Sequence, residues 1–214
     1  MEPDYLKPLR SHFGKDLLSA IEEEGIFVEL QKGERLLSPG AIVPGIPLIL
    51  TGRIKVMREG RDKDMLLYYL QEGESCIMSL AGCMHQKASQ VAAIAEVDST
   101  LYILPAHLLR TWMSKFHTLT HFLMDLYEKR YLDLLDTIDQ FVFFNLEDRL
   151  IHYLNQQVAL THSSQLELTH QEIARDLGTS REVISRLLKK LQAIGMIDLS
   201  HKSITLVSPR NNWK

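Results

Sequence analysis

The side chains with the clearest chemical purpose lie together near the C-terminal end of the chain. They are two arginines, a glutamate and a serine, namely Arg181, Glu182, Ser185 and Arg186. If the segment is helical, this spacing puts them on two successive turns of one face. Arginine can bind the O6 and N7 atoms of guanine bidentately, and glutamate can accept from N4 of cytosine. The pattern indicates contact with base edges, and the alternative is a solvated charged face.

The charge of the chain is unevenly distributed, and this favours the first interpretation. The formal net charge of the 214 residues is −3. From Thr169 to Lys214 there are eight Lys and Arg residues against four Asp and Glu, whereas the remainder has 16 against 23. An acidic body with a basic segment is typical of proteins in which one part binds a polyanion.

The flanking residues predict the elements that would hold this face. Thr169 and Glu172 have the spacing of a capping box at the start of a short helix. Gly178 permits the positive φ of a sharp turn, and Ser180 can cap a second helix that ends before Gly195. The inward faces of the two helices are apolar, with Ile173, Ala174, Leu177, Ile184, Leu187 and Leu188. This spacing predicts a helix-turn-helix, followed by a β-hairpin over 196–199 and 203–207.

The N-terminal half has a different period. Between residues 25 and 105, short apolar runs alternate with glycines, which predicts a β-sandwich or barrel. A long amphipathic helix is then predicted over residues 119–142. Its seam follows steps of three and four: Leu123, Tyr127, Tyr131, Leu134 and Ile138. A narrow apolar seam of this kind favours self-association, and the alternative is a helix packed only on its own barrel.

Two cysteines, Cys76 and Cys83, fall in the predicted barrel. They can be buried apolar residues, a redox-sensing pair, or metal ligands together with His85, although the spacing is not that of a zinc site. No apolar run approaches the roughly 20 residues of a membrane span, and the N-terminus lacks the pattern of a signal peptide. A cytoplasmic protein that does not contact membranes is expected.

The stretch from Leu168 to Ile197, LTHQEIARDLGTSREVISRLLKKLQAIGMI, closely resembles the helix-turn-helix of the Crp/Fnr family of bacterial transcription regulators. The resemblance extends more weakly over PLILTGRIKVMREGRDKDMLLYYLQEGES, which looks like the β-roll sensor of the family. It implies an α+β fold with an N-terminal cyclic-nucleotide-binding-like β-roll, a long dimerisation helix and a C-terminal winged helix-turn-helix. The implied domains are 1–118, 119–143 and 144–214.

The resemblance also implies roles for individual residues. Arg181, Glu182, Ser185 and Arg186 would contact bases. Phosphate contacts would come from Thr169, Gln171, Ser180 and Lys202. The implied partners are double-stranded DNA, a second copy of the chain, RNA polymerase and a small effector.

The effector pocket implied by the resemblance differs from that of known branches of the family. Its candidate residues are Gly73, Glu74, Cys76, Cys83, Lys87 and Ser89. No arginine occurs between Arg61 and Arg110, so the bidentate partner of a cyclic-AMP phosphate is missing and Lys87 is a poor substitute. Two cysteines cannot hold the four-thiolate iron–sulfur cluster of another branch. Neither cyclic AMP nor an iron–sulfur cluster is therefore expected, the effector is unknown, and no metal site is predicted.

Two other function classes stay open at this point. A ligand-binding β-roll without a DNA role would leave the basic C-terminal segment unexplained. A small cupin-type enzyme would need a histidine cluster, but His85 is the only histidine between residues 25 and 105. The sequence favours a regulator over an enzyme.

Overall fold

The computed structural model describes residues 5–60, 64–200 and 203–207. The chain forms two compact units. Unit 1 comprises residues 1–59 and 67–135, and unit 2 comprises residues 60–66 and 136–214. The division lies within a long helix, between the two boundaries predicted at 118 and 143. In the described part of the chain, no helix is both long and apolar enough to cross a membrane.

Unit 1 is built on two antiparallel sheets. Their strands are β1 (Ile26–Leu30), β2 (Arg35–Leu37), β3 (Gly45–Thr51), β4 (Ile54–Glu59), β5 (Asp64–Leu70), β6 (Ala92–Ala95) and β7 (Ser99–Pro105). The first three residues of β5 are grouped with unit 2. The sheet orders are β1-β7-β3 and β2-β6-β4-β5. Six of the seven β3 residues are buried. Pro47 has no N–H to donate, which suits the position of β3 at the edge of its sheet.

The predicted β-roll is confirmed, and two of its strands, β2 and β6, have no clear signal in the sequence. β2 has three residues, which is too short for a detectable alternation. β6 reads Ala-Ala-Ile-Ala, and alanine is depleted in strands. Both strands exist because they pair with neighbours, as in the register Lys55↔Ile94 and Val56↔Ala93.

Helices cover one side of the roll. They are α1 (Lys15–Glu24), α2 (Ile77–His85), α3 (Ala106–Lys115) and the first part of α4 (His117–Phe143). Leu17 and Ile21 of α1, Trp112 of α3 and Phe122 of α4 meet Leu48 of β3 in one buried cluster. The apolar stripes of these helices are buried by the sheet, which accounts for most of their stability.

The long helix is confirmed, but one of the five residues predicted for its seam, Leu123, faces the core. Leu123 is only 1% exposed because it belongs to the core of unit 1. Tyr127, Tyr131, Leu134 and Ile138 are about half exposed, and Met124 at 51% exposure begins the exposed row in place of Leu123. Successive helical residues are about 100° apart, so Leu123 and Met124 point in different directions.

Unit 2 contains the second predicted motif. Its elements are α5 (Leu146–Thr161), β8 (Gln165–Leu166), α6 (His170–Asp176), α7 (Arg181–Ala193), β9 (Ile197–Leu199) and β10 (Ile204–Leu206). The predicted hairpin is present as β9 and β10, with Ile204 opposite Leu199. The two-residue β8 adds a third strand beside β10 that the sequence did not reveal. The result is a helix-turn-helix with a small sheet, which is the winged form.

Candidate nucleic-acid interface

The helix α7 is held at its N-terminus by a side-chain cap. Ser180 lies outside the helix, and its hydroxyl accepts a hydrogen bond from the backbone N–H of Val183 at 3.4 Å. Ile184, Leu188 and Leu191 are completely buried and fix the inward face. The opposite face of the first two turns is thereby turned outward.

The helix α6 before it has the predicted capping box. The backbone N–H of Thr169 donates to Glu172 at 2.7 Å, and the backbone N–H of Glu172 donates to the Thr169 hydroxyl at 3.2 Å. Gly178 has a φ of +64°, a left-handed conformation that lets the chain turn from α6 to α7 within four residues. Ala174 is fully buried, and its small side chain permits the close approach of the two helices.

The four residues predicted to contact bases are gathered on the outward face of α7. Arg181, Glu182, Ser185 and Arg186 line one open depression together with Lys189. The two arginines and the glutamate are exposed, and Ser185 is half-buried. Hydrogen bonds from its own backbone N–H and from the Ser180 hydroxyl lower the pKa of the Glu182 carboxyl. Glu182 is thus a charged acceptor at neutral pH, beside two permanently charged donors.

A histidine that the sequence analysis did not select lies behind this face. Nδ1 of His170 is 2.8 Å from the Ser185 hydroxyl oxygen, and that hydroxyl donates to the carbonyl of Arg181 at 2.8 Å. Because a hydroxyl has one hydrogen, it must accept from Nδ1–H of His170. Burial lowers the pKa of His170, and the nearby charges of Arg181 and Lys189 lower it further. The neutral ring orients Ser185.

Three of the four predicted phosphate-contacting residues lie in the described part of the helix-turn-helix. Thr169, Gln171 and Ser180 are exposed at the starts of α6 and α7. Thr169 and Ser180 also serve as helix caps, so their backbones are fixed in position. Lys202 lies outside the described residues.

Two contacts from α5 anchor the turn, and neither could be inferred from spacing. Arg149 donates from Nη2 to the carbonyl of Leu177 at 3.0 Å, immediately before Gly178. Burial lowers the pKa of Arg149. The Tyr153 hydroxyl donates to the buried carboxylate of Asp176 at 2.8 Å. Lys190, further along α7, is paired with Glu147 of α5.

The predicted effector residues of unit 1 are not all equivalent. Gly73 is buried, and Glu74 forms ion pairs with Lys129 and Arg130. Ser89 is buried, and its hydroxyl is bonded to both the backbone carbonyl and the N–H of Val91. Lys87 is exposed. Arg130 lies on α4, far along the chain from residues 73–89, so its contact with Glu74 could not be inferred from spacing.

The cysteines are separated by a helix. Cys76 occupies the position just before α2 and Cys83 lies inside it, so their Cα atoms are roughly 10 Å apart along the axis. A disulfide needs Cα atoms within about 7 Å, and α2 would have to unwind to form one. Burial and the neighbouring Cys76 raise the pKa of Cys83 to about 11, which disfavours a reactive thiolate. These facts favour the buried-residue interpretation over the redox hypothesis.

Two protein-family models match the chain in separate segments. The one described as a cyclic nucleotide-binding domain matches residues 27–116. The one described as a Crp-like helix-turn-helix domain matches residues 148–211. The first match covers most of the β-roll, and the second covers the helix-turn-helix and its wing.

Known proteins resemble the chain in sequence and in structure. The CRP-like protein Clp of Xanthomonas campestris is 35% identical over 88 residues, 38% of this chain and 38% of that protein. The chain thus matches well under half the length of these curated relatives. A crp/fnr-family protein from Eubacterium rectale has a TM-score of 0.83 at 25% identity, covering 97% of this chain and 96% of that one. The c-di-GMP-responsive regulator CLP of Xanthomonas campestris has a TM-score of 0.82 at 20% identity, covering 91% of this chain and 100% of that one.

Replacing Gly178 with valine should destabilise unit 2. The φ of +64° is unfavourable for a β-branched residue, at a cost of about 1–2 kcal/mol. Urea unfolding would measure this, with Gly178→Asn as the matched control because asparagine tolerates this conformation better. Equal loss of stability in both variants would contradict the prediction.

The stability of the fold should depend on His170 below neutral pH. The folded pKa lies below the unfolded value of about 6.5, so the unfolded chain binds more protons in this window. The free energy of unfolding should therefore be highest, as far as His170 contributes, above about pH 6.5, and it should fall as the pH is lowered. His170→Asn keeps a donor near Ser185 without a titrating group. Urea unfolding at acidic and neutral pH should show a smaller pH-dependent loss in this variant than in the wild type.

Proposed function

Because the chain belongs to the Crp/Fnr family, we propose that it is a sequence-specific, DNA-binding regulator of transcription. The observation that carries this proposal is the presentation of Arg181, Glu182 and Arg186 on the outward face of a capped helix. It acts as a regulator in the cytoplasm and not as an enzyme.

The chemistry of α7 supports readout of base edges in the major groove. The outward face lies in the first two turns, and this is the part of a recognition helix that reaches bases. The guanidinium groups of Arg181 and Arg186 can each bind a guanine edge, and the ionised Glu182 can accept from a cytosine amino group. Thr169, Gln171, Ser180 and Lys202 bind flanking phosphates, which fixes the register of the helix on the duplex.

The long helix supports a homodimer. Met124, Tyr127, Tyr131, Leu134 and Ile138 follow steps of three and four along α4 and are all about half exposed. An exposed apolar row of this period is the seam of a two-stranded coiled coil. Two copies paired along α4 present two recognition helices to a palindromic site, with half-sites about 34 Å apart.

Regulation follows from a shift between two populations. An effector bound in the β-roll changes the packing of α4, and only one arrangement of the two recognition helices fits both half-sites. The DNA-bound dimer then acts on RNA polymerase. The effector is a small molecule other than cyclic AMP.

Substituting the base-reading residues should relax sequence preference. Arg181→Ala and Glu182→Ala should each cost about 1–3 kcal/mol on the preferred duplex and much less on a scrambled one, since base contacts carry the specificity. Gln192→Ala, also exposed but beyond the first two turns of α7, is the matched control. The preferred duplex comes from selection on a randomised library, and affinities come from fluorescence anisotropy at several salt concentrations. Equal affinity of the wild type for both duplexes would refute the proposed function.

A charge in the seam should separate the dimer. Leu134→Glu places a carboxylate opposite its own copy in an apolar interface, and sedimentation equilibrium should then show a monomer. Affinity for a palindrome should fall by about a hundredfold or more, because the half-sites are no longer bound together. Asp125→Lys, exposed on α4 outside the seam, should remain dimeric. A wild-type protein that is monomeric at micromolar concentration would contradict this prediction.

A further inference from the structure

Unit 1 buries an arginine side chain that belongs to the long helix α4. Arg130 of α4 is only 5% exposed. A buried guanidinium is costly unless each of its donors has an acceptor, because it has lost its hydration. The partners of Arg130 therefore indicate what this part of the fold is built to hold.

Three neighbours surround the guanidinium. Nη1 donates to Asp133 Oδ2 at 2.6 Å, and Nη2 donates to Glu74 Oε2 at 2.6 Å. The Tyr68 ring lies against its flat side, with the guanidinium carbon 4.4 Å from the ring centroid. Burial raises the pKa of the Tyr68 phenol, so the ring is neutral. Arg130 is held between a carboxylate on its own helix and one on the loop after β5.

The third nitrogen of the guanidinium, Nε of Arg130, is buried and has no hydrogen-bond partner. Nε and Nη2 form one edge of the planar group, where a carboxylate or phosphate ordinarily binds with two oxygens. Glu74 fills only the Nη2 half of this edge.

Glu74 does not fill the other half, because its oxygens bind other donors. Oε2 also accepts from the backbone N–H of Gln71 at 3.2 Å, and Oε1 accepts from Lys129. The backbone of this loop is fixed to β3, since Ile49 N–H donates to the Glu74 carbonyl at 3.0 Å and Gly73 N–H donates to the Ile49 carbonyl at 2.9 Å. These two bonds hold the loop against β3 in the arrangement that leaves Nε unpaired.

We propose that Arg130 is the anion-binding group of the effector site, and that a small molecule bearing a carboxylate or a phosphate binds its Nε–Nη2 edge by displacing Glu74. The identification of this ligand as the effector rests on the proposed function, whereas the anion site itself rests on the geometry of unit 1. Lys129 is half exposed and retains Glu74 when Arg130 releases it, so the displaced carboxylate is not left unpaired. The exchange frees α4 from the β5–α2 loop and so reaches the helix that carries the dimer seam.

The competition between ligand and Glu74 gives the test its direction. Glu74→Gln keeps the shape of the side chain and one acceptor oxygen but removes the competing negative charge. This variant should therefore bind oxyanions about tenfold more tightly than the wild type does. Arg130→Lys keeps the positive charge but lacks the two-donor edge, and binding should fall about tenfold or more. Arg110→Met removes an exposed arginine of α3 in the same unit and should bind like the wild type.

The experiment uses the full chain without DNA. Sodium acetate and sodium phosphate are titrated against sodium chloride at matched ionic strength. In all four proteins the backbone ¹⁵N resonance of Gln71 is followed, because its N–H donates to the side chain at position 74. The ¹⁵N resonance of Arg130 Nε, assigned by its loss in Arg130→Lys, is followed in the other three proteins. A saturable shift with the ranking Glu74→Gln, wild type, Arg130→Lys supports the site, and the stronger anion identifies the headgroup as carboxylate or phosphate. Equal binding by all variants, or binding no tighter in Glu74→Gln than in the wild type, overturns it. A separate DNA titration of the same samples tests the proposed function, so the two can fail independently.

Discussion

The close packing of α6 on α7 is the constraint on which the candidate interface depends. Ala174 and Ile173 on one helix meet Ile184 and Leu188 on the other, and all four are fully buried. Any rotation of α7 would expose part of this core, at roughly 25 cal/mol for each Å² of apolar surface. The core therefore determines which residues of α7 face outward, and they are the charged ones.

Polar contacts around this core make the geometry specific. The caps at Thr169 and Ser180 fix where each helix begins, and Arg149 from α5 holds the carbonyl of Leu177 just before the turn. His170 then orients Ser185 from behind. A surface intended to read bases needs side chains that are positioned before binding, because ordering them on binding would reduce affinity.

Unit 1 uses a different principle. Its core is apolar and conventional, but a buried group of charges joins α4 to the loop after β5, with Arg130 at its centre. Buried ion pairs contribute little net stability, whereas removing one partner is strongly destabilising. Such a cluster is better suited to the proposed exchange of Glu74 for a ligand anion than to stabilising the fold. Arg130 lies on the same helix as the exposed row of Met124, Tyr127 and Tyr131.

The sequence alone determined whatever depends on local spacing. The capping box at Thr169, the turn at Gly178, the cap at Ser180 and the outward set on α7 were all predictable, because helix geometry links residues three and four apart. The short strands β2 and β8 were not, since they are stabilised only by pairing with distant partners. Tertiary packing decided that Leu123 faces the core while Met124 is exposed. It also brought Arg130 to Glu74, 56 residues away, and His170 to Ser185, 15 residues away, because side chains on separate elements meet only when the chain between them is folded.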